Sequence, residues 1–435
     1  MIDKILGYAQ GMKEEMVTRR RDFHKYAEVG WTEFRTASIV ADTLTALGYD
    51  VLVGEEVIDG DAMMGVPTAT ELDKQAQRAI KQGANPSWVK KMQGGKTGVV
   101  GIMKFGKPGP TVALRFDLDA NDAIEAEEAN HHPYAKKFAS INKGAMHACG
   151  HDGHMTVGLA LAKMFAGLKG EMSGRIKLIF QPAEEGVRGA KAMVTKGIVD
   201  DVDYMLGMHF GFQMKKTGQL ACNVSGFLAT TKLDAEFTGV PAHAGAAPET
   251  GRNALLAAAA ATTYLHAISR HGQGISRINV GTFHAGTGRN VIPANAVIQL
   301  ETRGATSQIN EYMSHEAIRI IESAAQMHGV SVKISEEGGA AGGSNSPQLV
   351  TATEEIAKSL GIFTDIVPDC NFNASEDCSY FMERVQQRGG QAVYVLVGAN
   401  LAAGHHDFRF DFDEEALVFG VALLGSVAYE LLNGK

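Results

Sequence analysis

The sequence has little of several features that mark specialised classes of protein. Its 435 residues include 41 basic and 49 acidic residues, which gives a formal net charge of −8. Without a basic surplus, neither nucleic acid nor an anionic membrane is expected as a partner. The most apolar segments, 255–268 and 416–432, are too short or too interrupted to span a bilayer. We therefore predict that they are buried helices.

Cysteine is also scarce, and its spacing matches no disulfide framework. The four cysteines, which lie far apart in the chain, are Cys149, Cys222, Cys370 and Cys378. This pattern favours free thiols in a reducing compartment. The first residues lack a basic region followed by an apolar region, so no signal peptide is expected. Together these observations predict a cytoplasmic protein.

Apolar strand patterns alternate with helical patterns over most of the chain. The predicted strands of the main domain are 50–53, 98–103, 111–119, 174–181, 204–209 and 392–398. Nearly continuous apolar strands separated by helices predict an α/β fold with a mostly parallel sheet covered by helices. Residues 223–339 differ, because half-exposed strand patterns accompany two long helical patterns there. We predict an inserted α+β domain at 223–339 and a main domain formed by 1–222 and 340–435.

One short segment is unusually rich in metal-ligand side chains. Residues 146–154 read Met-His-Ala-Cys-Gly-His-Asp-Gly-His and contain three histidines, one cysteine and one aspartate. Two glycines let the backbone turn tightly between these donors. A polar loop with clustered histidines is the alternative, but cysteine with several histidines in a short span favours a metal site or catalysis.

Further donors follow the predicted strands of the main domain. They are Asp117 and Asp119, Glu184 and Glu185, His209, and the pair His405 and His406. In open α/β sheets, chemistry occurs beyond the carboxyl ends of the strands, so we expect these side chains to meet at one edge. One of two adjacent glutamates can bind a metal while the other serves as a general base. An ordinary acidic loop is the alternative for this pair.

Together these residues resemble the M20 metallopeptidase and amidohydrolase family over nearly the whole chain. The matching segments are 115–119, 147–152, 181–186, 208–209, 241–245, 375–377 and the C-terminal histidine with 410–414. The form with cysteine is similar to the branch that cleaves N-acyl amino acids. The resemblance implies a metal-dependent exopeptidase-like fold, in which 223–339 is a lid and dimerisation domain. It also implies hydrolysis of an amide bond in p-aminobenzoyl-glutamate or a similar N-acyl amino acid.

The resemblance also implies roles for individual residues. The metal ligands would be Cys149, His151, Glu185, His209 and His406. Glu184 would be the general base and His243 a catalytic residue given to the partner's active site. Asn290 and Arg303 would bind the scissile carbonyl region and the carboxylate of the substrate. The family's spacing to Phe410 favours His406 over His405.

The implied cofactors are two divalent metal ions per chain. A thiolate among imidazoles suits zinc, but the resemblance places manganese slightly ahead of zinc. The expected assembly is a homodimer, or a heterodimer with a similar second chain. Two functional alternatives stay open: a hippurate-type or other N-acyl-amino-acid hydrolase with a different acyl group, and a non-catalytic partner in a two-chain hydrolase.

Three segments are less clearly interpreted. Residues 54–95 look like an insertion, which is expected to be a lid, a partner surface or a plain surface decoration. Residues 120–122 read Ala-Asn-Asp where the family usually has Ala-Leu-Pro. His24 is interpreted as a surface or packing residue.

Overall fold

The computed structural model describes residues 1–434, which form two compact units. The first unit comprises Met1–Ser225, Ser344–Asn373 and the chain from Asp377 onward. The second unit comprises Gly226–Gly343 and the short segment Ala374–Glu376. Sequence reasoning did not foresee that 374–376 belongs with the second unit.

The first unit contains an eight-stranded sheet. Its strands are β1 (Asp50–Val53), β2 (Val99–Lys104), β3 (Lys107–Asp117), β4 (Ser173–Gln181), β5 (Tyr204–Phe210), β6 (Gln219–Ser225), β11 (Asp365–Asn371) and β12 (Gln391–Val397). Their order is β1-β2-β4-β3-β5-β12-β6-β11. The central strands β4, β3, β5 and β12 are parallel neighbours, whereas β2 and β6 join this core in the antiparallel sense. The predicted mostly parallel sheet is confirmed.

Two strands of this sheet were not predicted. They are β6 and β11, which pair in parallel at one end of the sheet. The edge strand β11 is largely exposed and contains Pro368. Proline cannot donate a ladder hydrogen bond and is tolerated at a sheet edge. The strand therefore lacks the apolar run by which the central strands were recognised.

Helices surround the sheet of the first unit. They are α1 (Ile2–Gly11), α2 (Lys13–Lys25), α3 (Phe34–Ala46), α4 (Ala69–Lys81), α5 (Pro86–Lys91), α6 (His132–Ala135), α7 (His151–Gly167), α8 (Ala190–Thr195), α11 (Pro347–Leu360), α12 (Cys378–Gln387) and α13 (Ala416–Leu432). Helix α7 begins well before its predicted start at 157, because its polar first turn carries no apolar periodicity. None of the helices within residues 1–434 combines the length and apolarity needed to cross a bilayer.

The core of the first unit positions the start of α7 beside the central strands. Helix α7 is almost entirely buried and packs against β3 and α13. Gly158 makes this close approach possible, since a β-carbon there would lie 2.6 Å from the Phe116 ring and 2.8 Å from the Phe180 ring. The first turn of α7 is thereby held near the ends of β3 and β4.

The second unit contains a four-stranded antiparallel sheet and two helices. Its strands, in the order β10-β7-β9-β8, are β7 (Ala229–Thr238), β8 (Ser276–Ala285), β9 (Asn295–Gly304) and β10 (Ser331–Ala340). Helices α9 (Ala254–His266) and α10 (Ser307–His328) cover one face and bury residues such as Phe237, Ile298 and Ile321. The predicted α+β architecture is confirmed. However, 338–340 belong to β10 and not to the predicted return linker.

Candidate metal centre

Five of the predicted site residues come together at the carboxyl edge of the central strands. Cys149 precedes α7, and His151 is the first residue of that helix. Glu185 lies in the turn after β4, and His209 is near the end of β5. His406 lies in the loop after β12. Gly150 permits this arrangement, because its φ of +90° is a left-handed conformation that glycine adopts without strain.

The donor atoms form overlapping groups of three, and Cys149 is shared by two of them. One group contains Cys149, His151 and His209, and the other contains Cys149, Glu185 and His406. Within each group the donor atoms lie within 4.8 Å of one another. Cys149 Sγ is 3.4 Å from His209 Nε2, and Glu185 Oε1 is 3.4 Å from His406 Nε2. This spacing is compatible with two neighbouring cations that share the sulfur atom.

The hydrogen bonds of two histidines leave one ring nitrogen for a cation. His151 Nδ1 is 2.8 Å from the Asp119 carbonyl oxygen, and His209 Nδ1 is 2.7 Å from the Phe210 carbonyl oxygen. A carbonyl only accepts, so each Nδ1 donates its hydrogen and Nε2 faces the centre. His151 Nε2 and Glu185 Oε1 are buried without a hydrogen-bond partner. These unsatisfied atoms fit a metal ion.

The charges at the centre also fit a cation. Burial lowers the pKa of His151, but Asp117 and the Asp119 carbonyl outweigh burial and raise it well above its ordinary value. Burial and the neighbouring Glu185 raise the pKa of the Cys149 thiol well above its usual range. The protein alone thus keeps the thiol protonated, and a divalent cation would have to displace its proton to bind the thiolate.

His154, the last histidine of the cysteine segment, is not available to a metal. Its Nδ1 donates to Asp117 Oδ1 at 2.7 Å, and its Nε2 accepts from the Phe210 amide at 3.1 Å. Asp117 also accepts from Arg115 Nη1 at 2.6 Å. Both ring nitrogens of His154 and the adjacent carboxylate are therefore occupied within the protein.

The two C-terminal histidines have different environments. His405 Nε2 donates to the Phe210 carbonyl at 3.0 Å, and its ring stacks on Phe212 with a centroid distance of 4.1 Å. Burial, followed by nearby His406, lowers the pKa of His405 to about 4. His406 is more exposed, and the adjacent Glu185 raises its pKa. The geometry favours His406 as the residue that meets Glu185.

Glu184 and Glu185 lie in a turn that several other residues hold. Asp119 accepts the Glu184 and Glu185 amides, each at 2.9 Å. His151 Nε2 is 3.8 Å from Glu184 Oε2 and 4.0 Å from Glu185 Oε1. Arg188 donates to the Glu185 carbonyl at 3.0 Å and to the carbonyl of Gly65 at 3.1 Å. Residues 54–95, predicted as an insertion, therefore contact the turn that carries both glutamates.

A buried polar network supports the ends of β3 and β4. Arg115 donates to Gln181 at 2.7 Å and to Asp377 at 3.1 Å. Asp377 also accepts the Gly189 and Ala190 amides at 3.2 and 3.0 Å. Sequence reasoning found these residues only as family motifs. Their roles depend on contacts between residues as far as 262 positions apart, which local patterns do not reveal.

A second buried network holds the first turn of α7. Asp152 accepts from Arg20 Nε and from His24 Nδ1, each at 2.8 Å. His24 Nε2 is also 3.0 Å from Glu125 Oε1. The expectation that His24 is a surface or packing residue is wrong in its first part, because the side chain is fully buried between two carboxylates. Both ring nitrogens donate, so His24 is an imidazolium.

The remaining predicted residues belong to the second unit. His243 is exposed, and its Nδ1 accepts from the Gly245 and Ala246 amides at 3.2 and 3.1 Å. Its Nε2 therefore carries the hydrogen and is a donor. Asn290 lies nearby, because its carbonyl accepts the Ala244 amide at 3.0 Å. Arg303 forms a two-point pair with Glu301 at 2.9 and 3.1 Å.

A family model described as peptidase family M20/M25/M40 matches residues 113–430. The chain belongs to this family. The match contains the cysteine segment, the two glutamates, His209 and His406. The predicted membership and the predicted hydrolase class are confirmed.

Relatives within the M20/M25/M40 family match almost the full length of the chain. One of the chains of the p-aminobenzoyl-glutamate hydrolase of Escherichia coli strain K12 is 49% identical over 410 residues, which is 94% of each sequence. The indole-3-acetyl-aspartic acid hydrolase of Enterobacter agglomerans is 48% identical over 97% of each sequence. The crystal structure of the aminobenzoyl-glutamate utilization protein from Klebsiella pneumoniae has a TM-score of 0.82 and 40% identity, and the match covers 98% of this chain and 97% of that one.

The buried His24 predicts that stability depends on pH. Burial lowers the pKa of His24, but hydrogen bonds to Asp152 and Glu125 raise it to about 9, above the ordinary 6.5. Its charge therefore stabilises the fold fully below pH 6.5, and this contribution is lost as the pH rises through 9. The free energy of unfolding in urea should fall by on the order of 2 kcal/mol between about pH 6 and pH 9.5 because of this group.

The matched comparison is His24→Asn against His266→Asn, which alters an exposed histidine of α9. The His24→Asn variant should be less stable at low pH and should show a flatter pH dependence. His266→Asn should keep the wild-type pH dependence. An unchanged pH profile in His24→Asn would contradict the assignment of an imidazolium.

Proposed function

We propose that the chain is a metal-dependent amidohydrolase that cleaves N-acyl amino acids, with p-aminobenzoyl-glutamate as the leading substrate. The observation that carries the proposal is the shared position of Cys149 in two groups of buried donors. The unsatisfied His151 Nε2 and Glu185 Oε1 support it, because buried polar atoms are normally paired. The proposed metal ligands are Cys149, His151, Glu185, His209 and His406.

The proposed cofactors are two divalent ions that share the Cys149 thiolate. Bound ions of this kind supply Lewis acidity, which polarises an amide carbonyl and lowers the pKa of a water molecule. The donor set of sulfur, imidazole and carboxylate suits zinc on grounds of softness. We nevertheless place manganese slightly ahead, on the similarity to the aminobenzoyl-glutamate enzymes.

Glu184 is proposed as the general base. It lies beside Glu185 in the turn after β4, and its Oε2 is 3.8 Å from His151 Nε2. It would accept a proton from the attacking water and return that proton to the nitrogen of the leaving amino acid. Asp119 supports this role, because it fixes the Glu184 amide and therefore the start of the side chain.

The proposed roles in the second unit follow from donor chemistry. The Nε2–H of His243 would donate to the carbonyl oxygen as negative charge develops on it. The Asn290 side chain would bind the scissile carbonyl region. Arg303 would bind the substrate carboxylate in a two-point contact, which requires that carboxylate to replace Glu301. His243 is proposed to act in the active site of a partner chain.

The names of two relatives support a common substrate class. One hydrolyses p-aminobenzoyl-glutamate and the other indole-3-acetyl-aspartic acid. Both compounds join an aromatic acyl group to an acidic amino acid through an amide bond. We propose the same class for this chain, and a hippurate-type substrate with a neutral amino acid is the alternative.

The assembly is proposed to include a second chain. Two relatives carry names that make them one component of a hydrolase with more than one kind of chain, which favours a similar second chain here. A homodimer is the alternative. A non-catalytic role for this chain is the second candidate function. The presence of Glu184 together with the full ligand set argues for catalysis by the chain itself.

The proposed activity should depend on bound metal. Chelation should abolish turnover of p-aminobenzoyl-glutamate, and manganese or zinc should restore it. Glu184→Gln should lower kcat by about 10²- to 10⁴-fold, because it removes the general base. Its metal content, measured by atomic emission, should equal that of the wild type.

The control for this experiment is Glu128→Gln, which alters a carboxylate on the exposed surface. It should keep wild-type kcat and metal content. Turnover that survives chelation would contradict the proposal, and wild-type turnover by Glu184→Gln would favour the non-catalytic role. A panel with p-aminobenzoyl-glutamate, indole-3-acetyl-aspartate and hippurate identifies the preferred amino acid.

The two adjacent histidines should differ in their effect on metal binding. His406→Asn should weaken metal binding at least about tenfold, because it removes a ligand beside Glu185. His405→Asn should keep the metal affinity and lower only the stability, because His405 packs on Phe212. Competition with a chromogenic chelator measures both affinities without substrate. The reverse order of the two affinities would transfer the ligand role to His405.

A further inference from the structure

The turn that carries Glu184 and Glu185 has an unusual backbone. Ala183 has a φ of +50° and Val187 a φ of +58°, both in the left-handed region that favours glycine. Residues with a β-carbon stay in this region only where surrounding contacts hold them, and such positions concentrate at functional sites. The contacts of this turn therefore determine where the two glutamates lie.

Three consecutive amides of the turn donate to buried carboxylates. The amides of Glu184 and Glu185 donate to Asp119. The amide of Ala183 donates to Glu33 Oε1 at 2.8 Å, although Glu33 lies 150 positions earlier in the chain. Glu33 directly precedes α3 and thus anchors the first residue of the turn with positive φ from a different part of the fold.

The environment of Glu33 is costly for a carboxylate. The side chain is fully buried, and its other oxygen accepts from the Thr97 hydroxyl at 2.6 Å. In the part of the chain that the structure describes, no lysine or arginine forms an ion pair with it. Burial, and after it the charge of Asp119, raises the pKa of Glu33 to about 8. A group that lowers its own solvation in this way is better explained by its contacts than by stability.

We propose that Glu33 is a positioning residue, whose oxygen holds the Ala183 amide and thereby fixes the directions of Glu184 and Glu185. This inference rests on the proposed function, in which Glu184 is the base and Glu185 a metal ligand. It concerns the reach of the acceptor oxygen and not its charge. Glu33 does not touch the reacting atoms.

Two conservative variants separate reach from charge. Glu33→Gln keeps an oxygen at the same distance and removes the charge, whereas Glu33→Asp keeps the charge and withdraws the oxygen by one methylene group. Glu33→Gln should keep kcat and metal affinity within about threefold of the wild type. Glu33→Asp should lower kcat about tenfold or more and leave KM nearly unchanged, because displacement of a base acts on the transition state.

The matched control is Glu28→Asp. Glu28 is also fully buried in the same part of the chain, but its carboxylate accepts the Arg35 and Thr36 amides and pairs with Arg78, away from the turn. This variant should lower the thermal midpoint and leave kcat and metal affinity unchanged. A merely structural role for Glu33 would make the two aspartate variants alike.

Metal affinity gives a readout that needs no substrate. In chelator competition, Glu33→Asp should bind manganese or zinc about tenfold more weakly than the wild type, because Glu185 loses its fixed position. A wild-type protein that binds metal in a Glu33-dependent way but cleaves no N-acyl amino acid would refute the proposed function and leave this inference standing.

Three outcomes overturn the inference. One is a folded Glu33→Asp variant with wild-type kcat and metal affinity, and another is a Glu33→Gln variant as impaired as Glu33→Asp. If Glu33→Asp does not fold, it is combined with Ala183→Gly, because glycine adopts positive φ without strain. The inference predicts that the double variant folds, and its failure to fold is the third contrary outcome.

Discussion

The arrangement of the first unit depends on balancing negative charge that is buried at one edge of its sheet. Asp117, Asp119, Glu184 and Glu185 lie within this edge, together with the Cys149 thiol. Arg115 and His154 balance Asp117, and backbone amides satisfy Asp119. Cys149 and Glu185 have only His151, His209 and His406 as close partners of the donor groups. The need for cations therefore concentrates on the residues that could bind them.

The surrounding residues fix the direction of each donor. Asp119 acts twice, because its carbonyl orients His151 and its carboxylate holds the amides of the two glutamates. Arg20 and His24 hold Asp152 and hence the first turn of α7. Such outer contacts set the tautomer and orientation of a ligand, which is why metal sites depend on more than their ligands. The insertion at 54–95 takes part through the contact between Gly65 and Arg188.

The sequence was sufficient for the features that depend on local patterns. Apolar runs revealed the central strands, and strand ends rich in histidine and carboxylate revealed the site. It was insufficient for β11, whose exposed edge position removes the apolar signal. It also missed the start of α7, because polar ligands occupy its first turn. Glu33, Arg188 and Asp377 act through contacts between distant residues, and no local pattern announces them.

The same limit explains the mistaken part of the interpretation of His24. A histidine in a polar helix is usually exposed, and only the fold brings Asp152 and Glu125 to both of its ring nitrogens. The choice between His405 and His406 needed the structure for a similar reason. Adjacent residues have the same local sequence, but only one of them packs on Phe212 while the other approaches Glu185.

The central claim is that Cys149 joins two metal ions, and X-ray absorption of the zinc-loaded protein tests it most directly. The account predicts two ions per chain and a sulfur neighbour at about 2.3 Å. In Cys149→Ser this sulfur signal should vanish, whereas in Cys370→Ser it should persist. A single ion per chain, or a spectrum that is the same in wild type and Cys149→Ser, would contradict the account.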